Sequence, residues 1–342
     1  MQHVNPLLSP AWNEALLEHP SAFIFHTTHW LRILQASYGY QPYYFADVQA
    51  QRLRALLPCM EVRSWLTGLR GVALPFTDYC EPLVDEMASF AALYQPVITV
   101  AEQRGWQFLE VRGGETLFPG VSPYASYARH RLTLSGHASE VFARFRRNYR
   151  TKIHKASAHG LVVTCQRSPA AIDAYYRLHC LTRRRQGFPP QPASFFRHIQ
   201  EHLIAKNLGF VTLVSYQGRQ VAGAVFFTFG AKALYKFGAS DTAYHALSPN
   251  YVLFWHVIEW LCQQQYQELC FGRTTLSNMG LMQFKEGWGT RMSLLHYYRY
   301  HIKTQTFMQG SRVQTDAGYT LCRNLPLRLL RWAGAALYRH MG

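Results

Sequence analysis

One order of elements appears twice in this 342-residue chain, and the repetition limits the fold more than any single motif does. The first pass runs through YYFADVQAQRLRALLPCMEV, two apolar runs around a turn at Gln49 to Arg52, then the strand-like GVALPFTDY. A helical stretch from Glu86 to Arg104 follows, closed by Gly105, and then the strand WQFLEVR. The second pass runs through GFVTLVSYQGRQVAGAVFFTF, with a turn at Gln217-Gly218, then ALYKFGASD, a helix over Pro249 to Gln265 and the strand YQELCFG. Gln49 to Leu53 aligns with Gln217 to Val221, and Trp106-Gln107 with Leu109 aligns with Tyr266-Gln267 and Leu269. A hairpin, third strand, helix and strand stated twice predict a duplicated α/β unit. Two like units side by side bury a seam, a favoured place for a ligand cleft.

Around the repeats, Pro10 to His19 reads as a short helix, and Thr27 or Thr28 can cap a helix ending at Gly39. Ser139 is read as the cap of one helix over Glu140 to His159, closed by Gly160 ahead of the strand LVVTCQ. Helices are also expected over Pro169 to Arg184 and Ala193 to Lys206. This divides the chain into units 1–132 and 133–303 and a tail, 304–342. From Gly287 onward eight Lys and Arg stand against one acid, Asp316. Leu325 to His340 reads as a helix with an apolar stripe and a basic complement, suited either to docking on a domain or to lying on an anionic leaflet.

No apolar run is long enough to span a bilayer, and the N-terminal stretch lacks the features of a secretory signal, so a cytoplasmic chain is expected. Seven scattered cysteines fit free thiols. The net charge of +16 is carried mostly by Arg, which forks onto phosphate and carboxylate. It favours polyanionic partners such as tRNA or nucleotide-linked sugars, or the inner face of an anionic membrane.

The stretch Phe271 to Gly289, FGRTTLSNMGLMQFKEGWG, concentrates the candidate chemistry. Four glycines let its backbone approach a ligand, and Arg273, Asn278, Lys285 and Trp288 sit among them. It is read as a loop for an anionic or acyl-bearing substrate; a hairpin with polar groups facing water fits the same residues. The basic helix FARFRRNYRTKIHKA, with Arg150, can grip phosphates or present a solvated face. Arg183 lies in a triple arginine, of which one or two members can face a single ligand. Asp78, in PFTDYCEPL, suits a hydrogen bond to sugar or amine, or a turn cap. His198-Ile-Gln-Glu-His202 has zinc-peptidase spacing but no evident third ligand, so no metal is assigned. Markers of P-loop, Rossmann and nucleophile-elbow enzymes are missing.

The series FHTTHW, LPFTDYCEPL, RNYRTKIHKASAHGL, LHCLTRRRQGFPPQP, VAGAVFF, LYKFGASD, SPNYVLFW, FGRTT and GLMQFKEGWG resembles the Fem-like family. These are tandem-domain relatives of the N-acetyltransferase (GNAT) superfamily, including aminoacyl-tRNA-dependent enzymes that build peptidoglycan cross-bridges. The look is nearest to Fem-related proteins of PEP-CTERM and exopolysaccharide gene clusters. The resemblance implies an α/β (α+β) fold of two GNAT-like domains, with mixed, mostly antiparallel sheets flanked by helices. It implies an acyltransferase acting on an envelope or polysaccharide precursor, with no tightly bound cofactor and an acyl donor, aminoacyl-tRNA or acyl-CoA, as co-substrate. The family's Phe-Lys pair falls on Phe284-Lys285, so Lys285 would stabilise an oxyanion with Arg273 as second choice. Asn278, Tyr235, Asp241, Asn250, Arg183, Arg150 and Asp78 are expected around the substrate, and Asp241 could take the acceptor's proton. The family's tRNA-binding coiled coil is missing, which weighs against tRNA as donor.

Overall fold

The structure, a computed structural model, describes residues 2–49, 52–85, 87–310 and 320–342. Its strands are β1 (Gln2–Val4), β2 (Gln41–Gln49), β3 (Arg52–Ser64), β4 (Gly68–Val72), β5 (Leu83–Val84), β6 (Phe108–Arg112) and β7 (Ala125–Thr133). They continue with β8 (Val162–Gln166), β9 (Gly209–Tyr216), β10 (Arg219–Phe229), β11 (Lys232–Ser240), β12 (Glu268–Thr275), β13 (Arg291–His301) and β14 (Thr306–Phe307). All join one sheet, in the order β1-β2-β3-β4-β6-β13-β7-β12-β11-β10-β9-β8, with β5 on β3 and β14 on β13.

The repeated order is visible in the pairing. β2, β3 and β4 are antiparallel and β4 runs parallel to β6; β9, β10 and β11 are antiparallel and β11 runs parallel to β12. At the seam the chain crosses over. β7 pairs with β12 beyond it, while β13 returns to pair with both β6 and β7.

Helices cover both faces. Met87–Arg104 packs on the first unit, and Arg147–Ala158 with Pro249–Gln263 packs on the second. A third core spans both units: Trp30, from the helix Thr28–Tyr38, meets Phe195 at 6.1 Å and Phe227 at 5.9 Å between ring centroids. Each such ring contributes roughly 1.5–3 kcal/mol by its burial, so the two units share apolar stabilisation as well as a sheet.

The tail docks on the protein. Its helix Leu327–Leu337 buries Leu330, and Gly334 passes so near Pro190 that an added Cβ would run into the Pro190 carbonyl oxygen. Tyr338 Oη donates to Pro189 O at 3.3 Å, and Thr67 Oγ1 donates to His340 O at 3.0 Å. The helix Arg147–Ala158 stands apart from a shorter one, Ala138–Ala143, with His137 rather than Ser139 at the cap. The strand read over GVALPFTDY stops at Val72, because Leu74 and Phe76 take positive φ (53° and 60°) and turn the chain out of the ladder. Of the turn at Gln49 to Arg52, Ala50 and Gln51 lie outside the described residues. Among the described residues no helix is long and apolar enough to cross a membrane.

Candidate active site

β11 and β12 pair only over Lys232–Leu234 and Glu268–Cys270, and past that point no ladder joins them. On its other edge β12 slips register against β7 between Cys270 and Arg273. The slip is a β-bulge at Phe271-Gly272, and Gly272 takes φ +68°, a conformation that suits glycine. A bulge frees backbone carbonyls from the ladder, and here a lysine collects them. The stretch after β12 is not the loop expected from its glycines. It forms a helix, Met279–Glu286, capped by the Asn278 side chain, which accepts from Leu281 N at 3.1 Å.

Near its end the helix turns Lys285 back under the bulge. Nζ donates to Gly272 O and Arg273 O, both at 3.2 Å, and the residue is 2% exposed. Burial pushes the Lys285 pKa down to about 8, with the charge of Asp78 pulling the other way. An ammonium has three N–H donors, and these two bonds leave one.

Asp78 comes from the other unit, on the loop after β4. Its Oδ2 accepts from Lys236 Nζ at 2.6 Å and its Oδ1 from the Arg273 backbone N–H at 3.4 Å. Burial alone would raise its pKa, but the charge and hydrogen bond of Lys236, with Arg273 and Lys285 nearby, hold the carboxyl below its ordinary value. A Cβ at residue 272 would lie 3.1 Å from Asp78 Oδ1 and 3.3 Å from Tyr235 O, so the missing side chain is what admits the carboxylate. Lys236 also donates to Phe76 O at 2.7 Å and lies 5.3 Å from the ring centroids of Phe25 and Phe237. Tyr297 Oη donates to Asp78 O and receives Arg273 Nη1 at 3.2 Å; the Arg273 guanidinium stacks over Tyr127 at 4.5 Å.

The structure therefore brings Lys285, Arg273 and Asp78 together, with Asn278 and Phe284 on the helix that carries Lys285. Phe284 packs among Phe254, Tyr251 and Trp288 at 5.6, 5.8 and 5.9 Å. Tyr235 lies beside the same cluster, 4.8 Å from Phe254, and burial pushes its hydroxyl up to about 12. Two others named from the sequence have partners elsewhere. Asp241 caps the turn after β11 through Ala243 N (3.1 Å) and pairs with Arg219 (3.2 Å). Arg183 donates to Tyr338 Oη at 3.1 Å and lies 4.7 Å from the Phe188 ring centroid, holding the tail. Asn250 opens the helix Pro249–Gln263 and Arg150 sits half-buried on Arg147–Ala158.

Sequence reasoning missed Lys236, Tyr297 and His130. Lys236 was the neighbour of a residue already chosen, Tyr235, and strand alternation sends the two to opposite faces. His130, on β7, is fully buried with neither ring nitrogen hydrogen-bonded; burial, then the charge of Lys285, pushes it down to about 4. His198, one of the two zinc-spaced histidines, shares a hydrogen bond with Ser37 at 2.9 Å. Among the described residues no group of three or more His, Cys, Asp or Glu could hold a metal.

A parallel strand pair that parts, repeated across a shared sheet, defines a tandem GNAT-like fold, and in the second unit it parts beside a bulge. Residues 143–286 match the family described as an acetyltransferase (GNAT) domain, and the whole chain has the tandem arrangement seen in Fem-related proteins. The structure of FemX superposes with a TM-score of 0.70 at 14% identity, covering 88% of this chain and 96% of FemX. L-PGS from Bacillus licheniformis gives 0.56 at 15% identity, covering 98% and 97%. The C-terminal domain of a putative lysylphosphatidylglycerol synthetase from Agrobacterium fabrum gives 0.55 at 12% identity, covering 83% and 88%. No curated protein matches the sequence.

Proposed function

We propose that this chain is an acyl or aminoacyl transferase that forms an amide, or an ester, on an amino-sugar or amine acceptor of cell-envelope or exopolysaccharide synthesis. The names FemX and lysylphosphatidylglycerol synthetase support aminoacyl transfer to an envelope component, and the GNAT domain supports acyl transfer in general. The observation that carries the reading is the buried Lys285 under the β12 bulge, with Asp78 of the other unit beside it.

The acceptor amine attacks the donor's carbonyl carbon. A C–N bond forms, the carbonyl oxygen gains negative charge, and collapse breaks the donor's ester or thioester bond. The amine's proton passes to water or to the leaving group, since Asp241 is held by Arg219 and Asp78 by Lys236. Lys285 offers its third N–H to the oxyanion. A fixed donor in a water-poor site favours such an intermediate by about 3 kcal/mol. Lysate donors are offered to wild type and Lys285→Ala, and acylated products are sought by mass spectrometry. Loss of roughly a hundredfold in transfer is expected; unchanged transfer by a folded variant sinks the reading. A thermal shift with acyl-CoA separates a coenzyme A donor from a tRNA donor.

A second reading, a basic adaptor on an anionic membrane, draws on the outer face of the tail helix. Leu329 is 55% and Trp332 73% exposed there, beside Arg328 and Arg331. The same face would let a transferase meet the inner membrane surface peripherally. Vesicle flotation with and without residues 320–342 tests membrane contact, and polyanion binding without acyl turnover would favour the adaptor.

A further inference from the structure

A cavity of about 180 Å³ lies on the seam, walled by Glu110 and Arg112 of β6, Tyr127 of β7, Arg273 of β12, Tyr297 and Arg299 of β13, and Met341 and Gly342 of the tail. Three guanidiniums and one side-chain carboxylate face it, and the Gly342 carbonyl in its wall accepts from Arg70 Nε at 3.1 Å. Both oxygens of that carboxylate are already engaged: Glu110 Oε1 accepts from Arg112 Nε and Oε2 from Arg299 Nε, at 2.8 and 2.7 Å. Arg112 spends Nη1 on the carbonyls of Leu74 and Thr77, at 3.2 and 3.3 Å. Arg299 is stacked 4.0 Å from the Tyr124 ring centroid.

Arg273 is different. Among the described residues no carboxylate oxygen lies within ion-pair distance of its guanidinium. Its described side-chain contacts are one hydrogen bond to Tyr297 Oη and the faces of Tyr127 and Tyr297. Counting side chains outward, the seam holds six cations, Arg70, Arg112, Arg273, Arg299, Lys236 and Lys285, against two carboxylates, Glu110 and Asp78. Arg273 is exposed, so its charge is open to an incoming ion, and a guanidinium edge matches the paired oxygens of phosphate or carboxylate.

We infer that this cavity is a binding site for an oxyanion, a phosphate or carboxylate group, seated on the free edge of Arg273. A neutral sugar or an amine leaves the excess charge in place. The volume admits one such group. The seat is joined to the Lys285 site through one residue: Arg273 gives its carbonyl to Lys285, its N–H to Asp78 and its guanidinium to the cavity. Occupancy therefore fixes the backbone that Lys285 holds. If the chain is a transferase, the oxyanion belongs to a substrate; the site itself does not depend on that reading.

Titration calorimetry at constant ionic strength tests it, with inorganic phosphate and pyrophosphate in one arm and acetate and succinate in the other. Saturable heat in the first arm alone assigns a phosphoryl group, and in the second alone a carboxylate. Arg273→Gln should weaken binding roughly tenfold or more, as loss of a charge-assisted hydrogen bond predicts. Arg273→Lys keeps the charge but not the fork and should weaken it too. Lys285→Met should still bind the ion saturably, though more weakly than wild type because Lys285 touches Arg273, while transfer is lost, so failure of the anion site and failure of the transferase reading are told apart. Absence of saturable binding in both arms overturns the inference. So does binding that survives unchanged in Arg273→Gln and Arg273→Lys proteins shown to be folded.

Discussion

The two units open the same gap and fill it differently. In the first, β4 and β6 are parallel over two residue pairs, Gly71 with Leu109 and Val72 with Glu110. The unit then closes its own opening: Cys80 bridges back to Arg112, whose guanidinium binds the carbonyls of Leu74 and Thr77. In the second, β12 is bulged, and what enters is Asp78, from the other unit. After β6 comes a short 3-10 turn, Glu115–Leu117, with no lysine; after β12 comes a helix that delivers Lys285. One gap has become cohesion and the other a place for chemistry, with the first unit's loop as part of its wall.

The comparison can be broken most sharply at Asp78. Asp78→Ala leaves Lys236 and Lys285 buried without their carboxylate and should cost about 3–5 kcal/mol in urea unfolding, with transfer lost as well. A comparable loss from Glu110→Ala, with residual transfer retained at permissive temperature, would mark the first gap as purely structural.

The next effect is on pH. A Lys285 pKa near 8 means the charged form fades as pH rises through that value, so transfer should fall there. The unfolded lysine titrates at its ordinary 10.5, so the unfolded chain binds the extra proton between about 8 and 10.5. Stability should therefore rise over the same window in which activity falls. A transfer rate that stays flat to pH 10 would remove Lys285 from the reaction.

Smaller is Gly272→Ala. The positive φ and the crowding of Asp78 should cost about 1–2 kcal/mol and displace the carboxylate, lowering transfer. Gly113→Ala, at φ +96° with Glu81 in its way, should cost similar stability but leave transfer per folded molecule intact. Smallest is Tyr297→Phe, which removes the hydroxyl between Asp78 O and Arg273 and should cost about 1 kcal/mol by thermal melting.

The hairpins and the duplicated order were legible because apolar runs and the Gln217-Gly218 turn are local signals; the parallel pairings were not, since they join strands on either side of a helix. The bulge was not, since Phe271-Gly272 looks like any strand end until β7 is set against it. β7 and β13 escaped notice altogether. ASYARHRLT and RMSLLHYYRYH carry polar residues on both faces, because the seam they line is itself polar. The 279–286 helix was hidden by Gly280 and Gly287. Its stability comes from the Asn278 cap and from Phe284 among aromatic rings, not from propensity. Lys285 stood out with its neighbours in a Gly-punctuated stretch and took its role from family likeness, whereas the partnership of Asp78 with Lys236 needs a loop and a strand that only the fold brings near.

The crossing of β7 and β13 has a consequence for how the chain is made. β6 ends at Arg112, and the strand that covers its edge begins at Arg291. A nascent chain must therefore carry an uncovered strand edge through the synthesis of nearly the whole second unit, and such edges recruit other chains. The closing contact is far apart in sequence, so final assembly should be slow and late. Truncation anywhere before β13 would leave the first unit without its neighbouring strand, and the protein should mature as one cooperative body rather than as two domains in succession.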